Sequence, residues 1–292
     1  MTTATHFISA LLAACVFLLA AGRSSAEPKP LWELGVGFSA LSTPDYIGSD
    51  ERREWYVPFP YFVYRGQILR ADRDSLRGRL VSSERFEVEV SFNGTIPVDS
   101  SRNRARRGMP DLDFSGEVGP RLRWYLHRPR DIPRQLYLDW PVRPVFVSDF
   151  TYVDYIGWTS SPALHYEGRH LGWNVDAISG VEFADASYNQ YFYGVDKKYV
   201  TPTRPAYQAD AGYGGVRLAF GISRRMGRFF LGAFTRYLNL AGATFENSPL
   251  VRTEHSVMGG VAIAWVFHES STLVDEHGRP AVPLPPDVAD AK

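Results

Sequence analysis

The stretch LDFSGEVGPRLRWYL, residues 112–126, alternates apolar and polar side chains over fifteen residues. One set of alternate positions is apolar: Leu112, Phe114, Val118, Leu122, Trp124 and Leu126. The other set is polar: Asp113, Ser115, Glu117, Arg121, Arg123 and Tyr125. Because successive side chains of a strand point to opposite faces, this pattern predicts one strand with an apolar face and a charged face. Strands of soluble sheets usually have about five or six residues, whereas a tilted strand crosses a bilayer with roughly 9 to 11. The length therefore favours a membrane-spanning strand.

The same alternation recurs along the chain. It is clear in LWELGVGFSAL, residues 31–41, and in RFEVEVSFNGTI, residues 85–96. Further strands are predicted at 134–147, 158–167, 170–183, 207–223, 228–240 and 256–267. With one crossing at 67–83 the chain has eleven strands. Two ends in the periplasm require an even number, so this region is expected to cross twice, as QILRADR and LRGRLVS. We therefore expect about 12 strands, with 10 as the alternative.

The connections between these segments alternate between long polar loops and tight turns. Long loops are expected at 42–54, 97–110, 148–157, 184–206 and 241–255. Long loops at one end and short turns at the other are typical of bacterial outer-membrane barrels. An open sheet edge in hydrocarbon would leave backbone groups unpaired, so the sheet must close. The predicted fold is all-β, a closed antiparallel transmembrane β-barrel. The alternative, a soluble β-sandwich, fits the alternation but not the strand lengths or the loop asymmetry.

The two ends of the chain differ from the middle. Residues 1–26 hold an uncharged apolar run that ends in small residues, which predicts a secretory signal peptide. A lipoprotein cleavage box at Cys15 is an alternative, but the apolar run continues beyond it. Residues 27–267 are then the barrel, and 268–292 a proline-rich periplasmic tail that is disordered or extended. Removing the leader removes the only cysteine, so no disulfide is expected.

Charge balance and prolines add two expectations. The chain has 32 basic and 32 acidic side chains, which gives no reason to expect a nucleic-acid partner. Pro58 and Pro60 cannot donate ladder hydrogen bonds, so the strand WYVPFPYF, residues 55–62, is predicted to be bent, bulged or partly inserted.

The polar strand faces would point into the barrel if the apolar faces meet lipid. The candidate lumen charges are Glu87, Glu89, Asp113, Glu117, Arg121, Arg123, Asp139, Arg143, Asp176, Glu182, Arg217 and Arg236. They either pair across the interior and plug it, or line a narrow aqueous path. Long side chains largely fill a barrel of this size, which favours the plugged interior.

Two predicted loops have unusual compositions. The loop SSRNRARRGMPD, residues 100–111, carries Arg102, Arg104, Arg106 and Arg107, a candidate surface contact for lipopolysaccharide phosphates. A solvated loop tip is the equal alternative. The loop at 184–206 carries five aromatic residues and is expected to cover the barrel mouth, contact a partner or pack on neighbouring loops.

The search for catalytic groups gives weak candidates. His165 with Glu167, and His255 with Glu254, place a base near a carboxylate, but no nucleophile motif accompanies them. Asp72 and Asp74 are better explained as a solvated turn than as metal ligands. No catalytic residue, cofactor or metal is predicted.

Four stretches resemble the MipA/OmpV family of outer-membrane proteins: LGVGFSALSTPDYIGSD, RRGMPDLDFSGEVGPRL, YNQYFYGVDKKYVTPTRPAYQADAGYGGVRLAFGIS and NSPLVRTEHSVMGGVAIAWVF. Together they extend from the first predicted strand to the last. The resemblance implies a barrel in the outer membrane of a Gram-negative cell, without catalytic residues. It also implies a scaffold that holds a murein hydrolase and a murein synthase together, although members are also associated with stress-linked permeability and adhesion.

The last predicted strand would close the barrel. Val261, Ile263, Trp265 and Phe267 form its lipid-facing stripe, an aromatic-ended signal of the kind that barrel-assembly machinery recognises. The expected surroundings are outer-membrane lipid and lipopolysaccharide. The leading hypothesis is a non-enzymatic scaffold for murein synthesis. A small-solute pore is the second hypothesis, and a hydrolase at the barrel rim is the third.

Overall fold

The computed structural model describes residues 28–66, 69–71, 76–83, 85–129 and 134–274. The predicted signal peptide, most of the predicted tail, and Asp72 and Asp74 lie outside the described residues, so the predictions for them stand untested. No helix within the described part of the chain is both long and apolar enough to cross a membrane.

The described residues form one large antiparallel sheet and a small second one. The long strands are β2 (Trp32–Pro44), β3 (Arg52–Arg65), β6 (Phe86–Thr95), β7 (Phe114–His127), β8 (Arg134–Ser148), β11 (Trp173–Ala184), β12 (Gly212–Met226), β13 (Phe229–Asn239) and β14 (His255–Glu269). The shorter ones are β4 (Leu69–Ala71), β5 (Leu76–Ser82), β9 (Asp154–Ser160) and β10 (Ala163–His170). Two-residue strands β1 (Lys29–Pro30) and β15 (Leu273–Val274) form the second sheet. One helix, α1 (Ala186–Tyr193), precedes β12.

The strand pairings of the large sheet form a ring. The sheet order runs from β10 through β14 to β2 and on to β9, and β8 also pairs with β10. One half of β8 pairs with β9 and the other half with β10, and β11 also pairs with both. Strands β9 and β10 are therefore one wall strand interrupted at Ser161 and Pro162. Counted this way, the described residues hold twelve wall strands, which confirms the predicted number.

The first and last wall strands form one seam of the ring. β14 pairs with β2 from Gly259 opposite Ser42 to Glu269 opposite Glu33. The stripe predicted to face lipid lies on the outside, where Val261 is 58% exposed and Ile263, Trp265 and Phe267 are 46%, 46% and 47% exposed. Exposed side chains of this kind recur around the wall, as an outward apolar band requires.

The proline-containing strand β3 carries no bulge against β2, so that part of the prediction is wrong, and a bend or partial insertion stays a prediction. It pairs with β2 without a register shift from Trp32 opposite Tyr64 to Pro44 opposite Arg52. The Arg65 amide donates to Leu31 O, and amide directions alternate along a strand. The nitrogens of Pro58 and Pro60 therefore face away from β2, so no hydrogen bond of the β2–β3 ladder is lost.

The chain just after Phe267 is ordered. β14 continues two residues beyond the predicted end of the barrel, to Glu269. The Ser270 amide then donates to Trp32 O at 2.9 Å, and the Leu31 amide donates to Thr272 O at 2.8 Å. Val274 is 2% exposed. The start of the predicted tail is thus pinned to the first residues of the barrel.

Candidate functional site

Most of the predicted lumen charges lie inside the barrel. Glu87, Glu89, Glu117, Arg123, Asp139 and Arg143 are buried, and Arg121, Asp176, Glu182, Arg217 and Arg236 are half-buried. The assignment of Asp113 to the lumen is corrected, because this residue precedes β7 and lies in a loop. Its carboxylate accepts a hydrogen bond from the Tyr152 hydroxyl at 2.6 Å. The alternating pattern starts at Leu112, two residues before β7 begins at Phe114.

Asp139 is the centre of an ion-pair layer. Arg121 donates to both of its oxygens, at 2.6 and 2.8 Å. Arg123 lies 3.5 Å from Asp139 and 3.7 Å from Glu89. The β7–β8 register places Arg123 directly opposite Asp139, so the sheet itself sets this geometry. Buried charges are tolerated only when paired, and these side chains are buried and paired.

His165 belongs to the same layer. Its Nε2 lies 3.5 Å from Asp139 Oδ2, and its ring stacks on Tyr137 with the centroids 5.1 Å apart. The Tyr137 hydroxyl donates to Glu167. His165 and Glu167 therefore share a face, as the strand spacing predicted, within a buried cluster. His255 instead contacts the Tyr237 hydroxyl at 2.8 Å at the outer end of β14.

A second group of charges lies nearer the loops. Arg143 Nη1 is 3.5 Å from Glu117 Oε2, and Arg217 Nε is 3.2 Å from Glu182 Oε1. Arg236 Nε is buried and has no hydrogen-bond partner within the described part of the chain. Among the described residues, no three His, Cys, Asp or Glu side chains come together as metal ligands would.

The interior also has an apolar side that the alternation did not predict. Tyr61, Val63, Phe230, Ala264 and Val266 form a buried cluster, with Phe59 packed against it. Phe230 faces inward although it stands between Phe229 and Leu231, so the local sequence carries no clear alternation. The cluster lies on β3, β13 and β14, whereas the ion pairs lie mainly on β6 to β12.

The loops pack together over the outer end of the barrel, and we call this assembly the cap. Its buried core includes Tyr46, Val98, Leu112, Phe192, Tyr193, Val195, Leu240, Phe245 and Leu250. The Tyr193 and Phe245 rings stack at 3.8 Å, and the Ser248 hydroxyl donates to Tyr193 O at 2.7 Å. Burial in the cap raises the pKa of Tyr193. The aromatic loop therefore packs on neighbouring loops, which is one of the arrangements expected from its composition.

Arg106 is a structural member of the cap, which corrects its assignment as a surface anion contact. It is 2% exposed, and its guanidinium donates to Phe192 O at 3.0 Å and to Pro110 O at 3.1 Å. Burial lowers its pKa, since a desolvated charged form is disfavoured. The fold needs this cation to satisfy carbonyls of two loops.

The other three arginines of this loop are exposed. Arg104 pairs with Glu51 at 2.9 Å and with Asp50 at 3.3 Å. Arg102 pairs with Asp99 at 3.2 Å. An anion contact through Arg102, Arg104 and Arg107 stays a prediction, and Arg104 would have to exchange partners to make it.

Comparisons with known proteins agree with this architecture. The model of the family described as "MltA-interacting protein MipA" matches residues 36–267. Among curated proteins, outer membrane protein Omp26La of Vibrio anguillarum is 29% identical over 93 residues, 31% of this chain and 35% of the relative. Outer membrane protein OmpV of Vibrio cholerae is 28% identical over 93 residues, which are also 31% of this chain and 35% of the relative. Each alignment thus spans about a third of the relative.

The matched solved structures have low TM-scores and low sequence identity. The outer membrane protease OmpT of Escherichia coli has a TM-score of 0.29 and 6% identity, covering 84% of this chain and 99% of that one. OprG of Pseudomonas aeruginosa has a TM-score of 0.22 and 9% identity, covering 84% and 95%. The barrel assignment rests on the strand pairing described above.

The fold, the family match and the relatives lead to one assignment. The family model covers the wall strands from β2 to β14 and the cap loops between them. Both curated relatives are named as outer membrane proteins, and this protein is located in the outer membrane. With its closed ring of strands and its match over residues 36–267, the chain belongs to the MipA family.

Proposed function

We propose that this protein is a non-enzymatic scaffold of the outer membrane that holds murein-synthesis machinery at its periplasmic face. The observation that carries the proposal is the burial of paired charges around Asp139, together with the packed core of the cap. Charges paired in this way favour a plugged interior, which suits a barrel that presents a surface better than one that conducts solutes. The family description, which names an interaction with MltA, supports a murein hydrolase as one partner.

The periplasmic end offers an ordered base for such a partner. Glu33 of β2 pairs with Arg65 of β3 at 2.7 Å and with Arg225 at the end of β12. Arg225 also lies 3.3 Å from Glu269 at the end of β14. These ion pairs join the first, second, tenth and last wall strands next to the β1–β15 sheet. Residues 275–292 follow this base directly in the sequence, so a contact made through them would lie next to it.

Two measurements test the proposal. Planar-bilayer recordings of the purified barrel are expected to show no discrete channel steps, and regular steps would favour the small-solute pore instead. In a pull-down, the full-length protein is expected to retain a purified murein transglycosylase and a bifunctional murein synthase. If neither enzyme is retained at micromolar concentration, the proposed scaffold function is contradicted.

A truncation then locates the contact. Deleting residues 275–292 leaves the β1–β15 sheet in place, and we expect it to weaken retention of the murein enzymes. Undiminished retention would assign the contact to the periplasmic turns instead of the tail. A matched control is Arg107→Gln, an exposed change on the opposite end of the barrel.

A further inference from the structure

The barrel wall has a gap between β3 and β6. Among the described residues, β4 pairs with β3 only at Tyr64 and Arg65, so residues 52–63 have no partner strand on the side away from β2. β5 pairs with β6 only as far as Ser91, so residues 92–95 also have a free edge there. The short β4–β5 hairpin separates β3 and β6 by three strand spacings, on the order of 14 Å. Within the described part of the chain, the outer part of the wall therefore has no strand between β3 and β6.

The sequence of β3 keeps another strand from filling this gap. The nitrogens of Pro58 and Pro60 face the gap, as the β2–β3 register shows. Proline has no N–H, so an added strand would lose two successive donors of the ladder. The prolines protect the edge against pairing with a further strand and leave the gap available to a smaller molecule.

A cavity lies directly behind the gap. Its volume is about 310 Å³, and it lies under the cap. Trp55 and Arg53 of β3 line one side of its mouth, and residues 93–98 line the other. The cap closes it from above, through Tyr188, Phe192 and Phe245. The gap in the wall is thus a sideways route between the cavity and the surrounding lipid.

The lining combines an apolar surface with an excess of positive charge. Leu41, Phe234 and Met258 line the wall near the seam. Five charged residues line the cavity deeper in the barrel: Arg143, Arg217, Arg236, Glu117 and Glu182. The Nε atoms of Arg217 and Arg236 are both buried without a hydrogen-bond partner in the described structure. Arg143 and Arg217 each form an ion pair with a glutamate, whereas no ion pair of Arg236 occurs among the described residues. At the mouth, Arg53 and Asp45 neutralise each other at 3.3 Å.

We propose that this cavity binds a single-chain anionic amphiphile, such as a fatty-acid carboxylate, which enters sideways from the membrane between β3 and β6. The carboxylate pairs with Arg236, which supplies the donor that the protein leaves unpaired. The alkyl chain packs against Leu41, Phe234 and Met258 and extends towards the gap. The volume suits one medium-length chain, since small-molecule sites begin at about 300 Å³. This site is independent of the periplasmic scaffold function.

Calorimetric titration of the protein in zwitterionic lipid discs tests the site, with protein-free discs as the blank. Dodecanoate is the anionic probe and dodecanol its uncharged counterpart. Arg236→Gln is expected to weaken dodecanoate binding about tenfold, the loss of one charge-assisted contact, and to leave dodecanol binding unchanged. Arg228→Gln, an exposed arginine outside the cavity, is the matched control. Equal dodecanoate affinity in Arg236→Gln and Arg228→Gln would overturn the proposal.

Two further measurements do not depend on the folding of Arg236→Gln. Met258→Trp fills the cavity and is expected to abolish binding of both probes, so retained binding contradicts the site. In the wild-type protein, dodecanoate with a terminal diazirine is expected to label the peptides that hold Trp55 and residues 93–98. Labelling confined to the outward stripe at Ile263 and Trp265 would show general lipid contact and would also overturn the proposal.

Discussion

At the scale of single residues, the type of a side chain predicts its chemistry better than it predicts where the side chain lies. Four arginines close together in one loop suggested an anion contact, yet Arg106 is buried and bonded to Phe192 O, 86 residues away. Arg204 acts similarly, donating to Ala105 O at 2.9 Å. Nothing in the local sequence distinguishes Arg106 from Arg107, because the carbonyls that need a donor come from a distant loop.

Replacing Arg106 by alanine should loosen the cap. The change leaves carbonyls of two loops without a donor, and we expect a loss of about 3 kcal/mol of unfolding free energy. Thermal unfolding in detergent and trypsin cleavage of the loops measure it. Arg107→Ala, an exposed change one residue away, should behave like the wild type. Equal trypsin sensitivity in the two variants would contradict the structural role of Arg106.

At the scale of elements, the strands follow their alternation where one face meets lipid, and the exceptions have local causes. β3 stays regular through its prolines because they lie on a free edge. β13 loses its alternation because part of the interior it faces is apolar. The β1–β15 sheet could not be predicted, since two-residue strands carry no periodic signal and depend on the two chain ends meeting.

The β1–β15 sheet provides a matched pair of variants. Val274 is 2% exposed, whereas its neighbour Leu273 is 44% exposed. Val274→Asp should destabilise the periplasmic end by about 3 kcal/mol, because it replaces a buried apolar side chain with a charge. Leu273→Asp should have little effect. Urea unfolding of the refolded barrel compares them, and equal midpoints would show that this sheet does not contribute to stability.

At the scale of the whole molecule, closure of the barrel depends on close approach of the first and last wall strands. Gly35 lies in this seam, and a Cβ added there would lie 2.4 Å from Trp265 O. Backbone atoms cannot move aside as the end of a side chain can, so the seam has to separate. The same addition at Gly116 in β7 meets no atom within 4 Å.

Gly35→Ala should therefore impair closure where Gly116→Ala does not. Steric overlap of this kind typically costs about 1–3 kcal/mol. The fraction of protein that migrates as the folded form in unboiled gel samples measures the closed barrel. Folded fractions that are equal for the two variants would show that the seam can absorb an extra methyl group.

The sequence by itself determined the two-faced strands, their approximate number, the lipid-facing stripe of Val261, Ile263, Trp265 and Phe267, and most of the inward charges. All of these follow from a period of two, which short windows of most wall strands display. Only the tertiary structure decided which charges pair, which loop residues build the cap, and where the wall is open. Those features depend on contacts between residues far apart in the chain. They also depend on the register, which brings Arg123 opposite Asp139 and leaves residues 52–63 of β3 with no second partner strand among the described residues.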